Sequence, residues 1–471
     1  GTACQVSGSK YTLNLIDTPG HVDFSYEVSR TLSAVEGAIL LVDASQGIQA
    51  QTVANLYLAK EQNLAIIPVI NKIDLPNLNL EGVKMEMSKL LRVSPKEIIL
   101  ASAKKGIGIE KILEKVIEKI PPPRVNISSP LRALIFDSVF DEFRGVIIYV
   151  RIFDGEVKKG DKIKFLQTEA VSDVLEVGFF RPELKEKKCL TSGEIGYIIT
   201  GLKEIEKCRV GDTITLLETA EKVCPLPGYR EPQPTVFVSF YPKEGYEAEK
   251  LILALQKFKL NDASLFFEKE HHSAFGYGAR CGFLGLLHLE IVRERLRREY
   301  DLEVIVSVPT VRYKIRLKNG KEMVIYSASQ FPDPNEIDWV KEPWVRIDLI
   351  APSQYLGKIF ELLKSFKARF LSLEYLEGEE KFLRVILHYE MPLALLLTNF
   401  YDALKSVSQG YASLSYSFLD YRPAKITKLD ILVAGNRIEE LASLVYEEKI
   451  YETGRKVVEA LKDILPVNFS K

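Results

Sequence analysis

The chain has 471 residues, of which 46% are hydrophobic and 27% charged, with a formal net charge of −1. That length suggests about three domains at roughly 150 residues each, and the composition is that of a globular chain with several cores. Near-neutrality leaves no compositional sign of a nucleic-acid binder, five cysteines without C-x-x-C spacing fit a reducing compartment, and no apolar run reaches the ~18 residues of a membrane span.

Residues 1–120 alternate strand and helix signals. TACQV and YTLNLI flank Ser-Gly-Ser and predict a hairpin. GAILLVDA and LAIIPVI are continuous apolar runs, the pattern of strands buried on both faces of a parallel sheet. Helical spacing covers 49–62, 78–92 and GIEKILEKVIEKI, with strand EIILASA before the last. Such alternation predicts a doubly wound α/β domain that binds ligands at the carboxyl ends of its strands. Pro121-Pro122-Pro123 stops the last helix, and 121–130 is expected to be a linker.

Over 131–230, short strands such as GVIIYVRIFDG and EIGYIIT predict a small β-barrel, with Gly145 and Gly160 at turns. The Pro-rich stretch CPLPGYREPQP marks its end. Residues 231–330 show the β-α-β-β-α-β order of a ferredoxin-like unit. A strand-poor connection with FPDP follows, 331–343 being a linker, before a second ferredoxin-like unit over 344–425 and the start of a further domain over 426–471. The expected fold is multi-domain: α/β, then β-barrel, then two α+β units.

Three signals stand at expected strand ends in the first domain. Asp17-Thr18-Pro19-Gly20 comes first. A strand-end carboxylate holds Mg²⁺ through the waters that ion keeps, and a glycine lets its backbone N–H approach a terminal phosphate oxygen. Asn71-Lys72-Ile73-Asp74 comes second. A fixed carboxylate accepts the N1–H and N2–H of guanine, which adenine cannot supply, while Lys72 lays its stem across the base. The plainer alternative is a polar turn in which Asp74 caps the next helix.

Ser102-Ala103-Lys104 is third, with the Ala103 N–H expected to donate to guanine O6 and Ser102 to brace the loop. Singly each signal is weak. In this order they predict a site for GTP or GDP with Mg²⁺, in which Asp17, Asp74 and Ala103 converge on one nucleotide. No G-x-x-x-x-G-K-[ST] phosphate loop occurs in the sequence.

DTPGHVDF, NKIDLP and SAK together resemble the translational GTPases. RCGFLGLLHLEIVRERLRREYDL, LNDASLFFE and GYASLSY are similar to the elongation factor 4 (LepA) family, and the resemblance runs along nearly all of the chain. Elongation factor G carries an insertion for which Asp74 and Ser102 lie too close, and a domain for which 307–343 leaves no room.

The resemblance implies a partial P-loop GTPase domain in which His21 is catalytic, orienting the attacking water once the ribosome brings it into place. It also implies Mg²⁺ on Asp17, the ribosome and transfer RNA as partners, and action on stalled or mistranslocated ribosomes by backward movement of transfer RNA. A cytoplasmic monomer, peripheral on the inner face of the membrane, is part of the same implication. In this family the phosphate loop precedes the first hairpin and a basic domain follows. The chain is therefore expected to be a piece that binds GTP poorly alone, with the loop encoded within ~60–70 residues upstream. The alternatives are another translational GTPase, such as an elongation factor G relative, or a ribosome-binding scaffold without hydrolysis.

Other polar groups have bland readings. His271 and His272 are expected at the surface, and His288 packed on its helix. Arg293, Arg295, Arg297 and Arg298 interleave with glutamates as a solvated helix face. Where the family has Lys-Arg-Gly, this chain has Phe366-Lys367-Ala368, so that helix end must close without a glycine.

Overall fold

The computed structural model describes every residue except 1, 7–8, 142, 182, 205–206, 228–233, 263, 273–274, 377–382, 434 and 465–471. The turn of the first hairpin and the centre of the Pro-rich boundary after the barrel therefore lie outside the described residues.

Strands β1 (Thr2–Val6) and β2 (Ser9–Leu13) form an antiparallel ribbon. Helix α1 (Ser25–Leu32) follows, then β3 (Gly37–Asp43), α2 (Ala50–Glu61) and β4 (Ala65–Asn71). Next come α3 (Leu80–Leu91), β5 (Ile99–Leu100) and α4 (Ile109–Lys119). Strands β3, β4 and β5 pair in parallel in that order. Asn79 caps α3 by accepting the Gly82 N–H at 3.0 Å, and Arg92 closes it in the left-handed region, so the helix stops short of the expected 92.

The expected hairpin forms, but its second strand is shorter than YTLNLI: β2 ends at Leu13, 14–20 is irregular, and the ribbon lies outside the parallel sheet. No described strand lies between β2 and β3, and without a ladder the segment finds other apolar contacts. Ile16 packs with Leu134 and Phe136 of the following barrel, while β3 stays at a sheet edge with Ile39 and Leu41 partly exposed.

The second domain comprises β6 (Arg132–Asp141), β7 (Gly145–Asp154), β8 (Glu156–Lys158), β9 (Lys162–Phe165) and β10 (Val171–Arg181). It continues through β11 (Glu183–Glu186), β12 (Cys189–Thr191), β13 (Ile195–Thr200) and β14 (Thr213–Leu216), of which β8 and β12 pair as a separate ribbon and the rest form the barrel. The order β11-β10-β13-β7-β6-β14-β9 closes because β9 also pairs with β10. Alternate residues Val146, Ile148 and Val150 point inward with Phe165 and Ile198, all fully buried. Gly145 and Gly160 have φ of 75° and 89°, conformations that turns demand and other residues resist.

The next unit runs β15 (Val236–Pro242), α5 (Ala248–Asn261), β16 (Phe266–His272), β17 (Gly276–Phe283), α6 (Leu286–Tyr300) and β18 (Val304–Val306). Its sheet order β16-β17-β15-β18 is that of a ferredoxin-like fold, with Phe240, Phe258 and Phe283 in the core. His288 is buried on α6 and pairs with Asp262 at 2.7 Å, and the arginines of α6 pair with Glu290, Glu294 and Glu299.

The connection expected to be strand-poor contains a hairpin, β19 (Tyr313–Leu317) and β20 (Glu322–Ile325), around Asn319-Gly320. Gly320 sits at φ 85°, the left-handed turn conformation that an Asn-Gly hairpin uses. The expected linker at 331–343 is likewise largely strand: β21 spans Ile337–Pro352 and pairs with β19 at its start. Both segments thus belong by hydrogen bonding to the later sheet.

That sheet continues through α7 (Leu356–Ser365), β22 (Arg369–Leu376) and β23 (Arg384–Pro392). Helix α8 (Leu393–Leu395) then passes through a π-turn into α9 (Tyr401–Val407) and β24 (Ser413–Pro423). Strands β22-β23-β21-β24 repeat the ferredoxin-like order. Helix α7 closes with Lys367, not Ala368, in the left-handed region at φ 53°. Ile350 and Ile386 leave this unit's core and join Val42, Ile48, Val53 and Met87 of the first domain. Strands β25 (Ile426–Val433) and β26 (Asn436–Tyr446) and helix α10 (Ile450–Ile464) follow.

Candidate functional site

Asp43, Asn71 and Ser102 follow one another across the carboxyl ends of β3, β4 and β5. Parallel pairing aligns Asp43 with Asn71, and the Ala101 N–H donates to the Ile70 carbonyl at 2.8 Å. The strands deliver their polar ends to one rim, because a parallel sheet puts all carboxyl ends on the same side.

Two of the three expected groups meet there. Ser102, fully buried, donates its hydroxyl to Asp74 Oδ1 at 2.7 Å and accepts the Lys105 N–H at 3.2 Å. The bond from Ser102 holds the Asp74 carboxyl below its usual range, so it stands ionised and oriented. Asn71 Oδ1 accepts the Ala103 N–H at 3.0 Å, tying the two loops together. That N–H, expected to donate to guanine O6, is engaged here by the chain, and contact with a base would share it. Ile73 donates its N–H to the Ala101 carbonyl, while Ala103 and Lys104 are exposed on the rim.

Lys72 takes a left-handed φ of 66°, and its Nζ lies 2.7 Å from Asp43 Oδ2. Burial works to raise the Asp43 carboxyl, but bonds from Lys72 and Ser45 hold it lower. Asp43 was missed by the sequence reading, although its place at the end of GAILLVD repeats the pattern of the other strand ends. Gly108 starts α4 at φ 78° with no room for a Cβ, which would lie 2.4 Å from the Leu100 carbonyl oxygen.

The third group stands apart. Asp17, exposed, lines a cavity of about 270 Å³ with Phe136, Asp137, Tyr149, Phe180 and Ile195 of the barrel. The expected convergence of Asp17 with Asp74 and Ala103 is therefore not seen: Asp17 follows a strand outside the sheet that carries the other two. Thr18, Pro19 and Gly20 continue this irregular segment. Gly20 has nothing within 4 Å of where a Cβ would lie, so packing within the chain does not require a glycine there. His21 is 38% exposed, and its Nδ1 accepts the Asp23 N–H at 3.3 Å. In the neutral ring that bond leaves the proton on Nε2.

The donor set bears on Mg²⁺. Among the described residues no cluster of three or more His, Cys, Asp or Glu could hold an ion, and a lone carboxylate such as Asp17 suits Mg²⁺, which keeps several waters. No helix among them is long and apolar enough to cross a membrane.

Comparison with known proteins places these elements. The chain matches the Elongation factor Tu GTP binding domain over residues 2–122 and Elongation factor Tu domain 2 over 145–215. It matches Elongation Factor G, domain III over 231–308 and the Elongation factor G C-terminus over 339–432. A crystal structure from Thermus thermophilus shares the fold with a TM-score of 0.58 at 19% identity, covering 90% of this chain and 88% of that one. The matched domains, in this order, and the shared fold are those of the translational GTPases.

Elongation factor 4 of Thermotoga maritima is 49% identical over 459 residues, covering 98% of this chain and 73% of the relative. The same factor of Desulfitobacterium hafniense is 49% identical, with 98% and 76% covered, and that of Streptococcus pneumoniae strain JJA 46%, with 98% and 75%. The chain belongs to the elongation factor 4 family.

Proposed function

We propose that the protein is a ribosome-dependent GTPase whose base-reading end is the rim of β4 and β5. The braced Asp74 carboxylate accepts the N1–H and N2–H of guanine, Asn71 and Ala103 lock the two loops, and Lys72 leaves Asp43 to lie along the base. The bond from Ser102 to Asp74 carries this reading, because it leaves the second carboxylate oxygen free of that hydroxyl and fixes its direction. A guanine-accepting carboxylate discriminates against adenine by ~10⁴-fold or more, since adenine would leave it unpaired.

Asp17 would hold Mg²⁺ through water, Gly20 would meet the γ-phosphate, and His21 would orient the attacking water through its Nε2–H. Bound Mg²⁺ supplies charge neutralisation on the phosphate oxygens. The residues of the chain supply position: the γ-phosphate contact draws the irregular 17–20 segment toward the rim, and the ribosome fixes His21. Completion of such a site in trans is worth ~10³–10⁵ in rate. Departure of phosphate then relaxes the segment and changes affinity for the ribosome.

By family likeness the substrate complex is a stalled or mistranslocated ribosome with its transfer RNA, on which a monomer in the cytoplasm acts. We further take 1–120, 131–230, the two ferredoxin-like units and the segment after 426 as its domains. Titration of the intact protein with GTP and ATP tests the reading; equal affinity for both would end it.

A further inference from the structure

The segment that carries His21 is held from outside its own domain. Two residues on, Asp23 has only 2% of its side chain exposed. Its Oδ2 accepts the Leu287 backbone N–H at 2.7 Å, and its Oδ1 accepts the Tyr416 hydroxyl at 3.1 Å. Leu287 lies in the first turn of α6, and Tyr416 lies on β24, so one carboxylate joins three units of the chain.

Helix α6 has no side-chain cap at its own N-cap position, Gly285. Asp23 does the capping from another domain: it satisfies one of the free N–H groups of the first turn and sets a negative charge at the positive end of the dipole. Gly285 has an extended backbone, φ −173°, that any residue adopts. A Cβ there, however, would lie 2.1 Å from the Asp23 carboxylate carbon. Glycine is needed at 285 for space, and the space belongs to Asp23. The ring of Phe24 lies 6.3 Å from that of His288 on the same helix.

Asp23 also sets the imidazole. Its N–H donates to His21 Nδ1, and its Oδ1 stands 3.8 Å from the same nitrogen. We propose that Asp23 is the positioning residue for His21, a buried latch through which the two ferredoxin-like units hold the catalytic loop. A shift of either unit away from the first domain would strip the carboxylate of a buried partner and free the loop, so domain arrangement and hydrolysis report on each other. The proposal rests on the reading of His21 as catalytic.

The test uses the intact protein with ribosomes. Asp23→Ala should lower kcat for GTP hydrolysis about 100-fold with KM changed less than about 3-fold, because orientation is lost and nucleotide contacts remain. Tyr416→Phe, which loses one bond, should lower kcat about 3- to 10-fold. Asp23→Asn keeps an acceptor for Leu287 and an N–H for the tyrosine oxygen, and should restore activity to within about 3-fold. A purely structural role would not give that split or that rescue.

Two readouts do not depend on turnover. With five histidines in the chain, selective labelling resolves His21 by NMR, and its ring signals should shift in Asp23→Ala and in Tyr416→Phe but not in the remote Arg298→Ala. Amide exchange at Leu287 should quicken at least ~10-fold in Asp23→Ala. Unmoved His21 signals, or full kcat in both Asp23→Ala and Tyr416→Phe, would overturn the proposal. If the wild-type protein hydrolyses no GTP at all, the functional reading fails, and the His21 signals and Leu287 exchange alone decide the latch.

Discussion

The rim of β3 to β5, proposed above to read the base, and the segment 17–24 are built in opposite ways. The rim is self-contained: Ser102 holds Asp74, Asn71 holds Ala103, and Asp43 holds Lys72, all between neighbouring strand ends of one sheet. The segment 17–24 is tied to other units at its ends: Ile16, just before it, packs on the barrel, and Asp23 bonds to α6 and β24. On the proposed reading, recognition of the base is a local property of the rim, whereas placement of the hydrolytic groups is distributed and so open to control by whatever moves the later domains.

The sharpest way to break this contrast is His21→Ala. It should cost on the order of 10³-fold in ribosome-stimulated turnover and leave GTP affinity unchanged, as measured by single-turnover hydrolysis beside equilibrium binding. A parallel loss of affinity would show that the two regions are not separable. Asp74→Asn comes next. GTP binding should weaken at least ~100-fold while xanthosine triphosphate binding rises, since the C2 carbonyl of xanthine needs a donor that Asn supplies.

Ser102→Ala should weaken GTP binding about 10-fold, the value of a lost bond to a charged group, and leave the GTP to xanthosine triphosphate preference intact. Ser413→Ala lies at the small end. The Ser413 hydroxyl oxygen accepts the Ala50 N–H at 2.9 Å, so the later unit caps α2; its loss should cost about 1 kcal/mol in denaturant unfolding, with base selectivity untouched.

The rim was legible in the sequence because its residues follow apolar runs whose periodicity fixes where strands end. Asn71 to Asp74 and Ser102 to Lys104 stood out because they also carry a motif at those strand ends. Asp43 carried the same local sign and was passed over for want of a motif. The strand expected over 11–16 pairs with TACQV as the hairpin predicts but stops at Leu13, where its partner strand runs out at Thr2, a limit that a local apolar run does not show. Asp23 was beyond reach for a related reason: its partners lie 264 and 393 residues away along the chain. The hairpin β19–β20 could have been found, since Asn319-Gly320 stands between alternating residues, but the prolines of FPDP drew attention to a linker.

The junction between the later sheet and the first domain has a consequence for where the molecule can be cut. Arg384 donates to the carbonyls of Gln46 and Ile48, Ser413 finishes the first turn of α2, and Ile350 and Ile386 lie in the same apolar layer as Ile48 and Met87. Pro121 to Pro123 look like a natural scission point, yet a polypeptide ending there would surrender a helix cap and uncover aliphatic surface that a distant stretch of chain normally shields. Expressed alone, the first 120 residues should be an aggregation-prone fragment, and the smallest piece that folds autonomously should extend at least through β24.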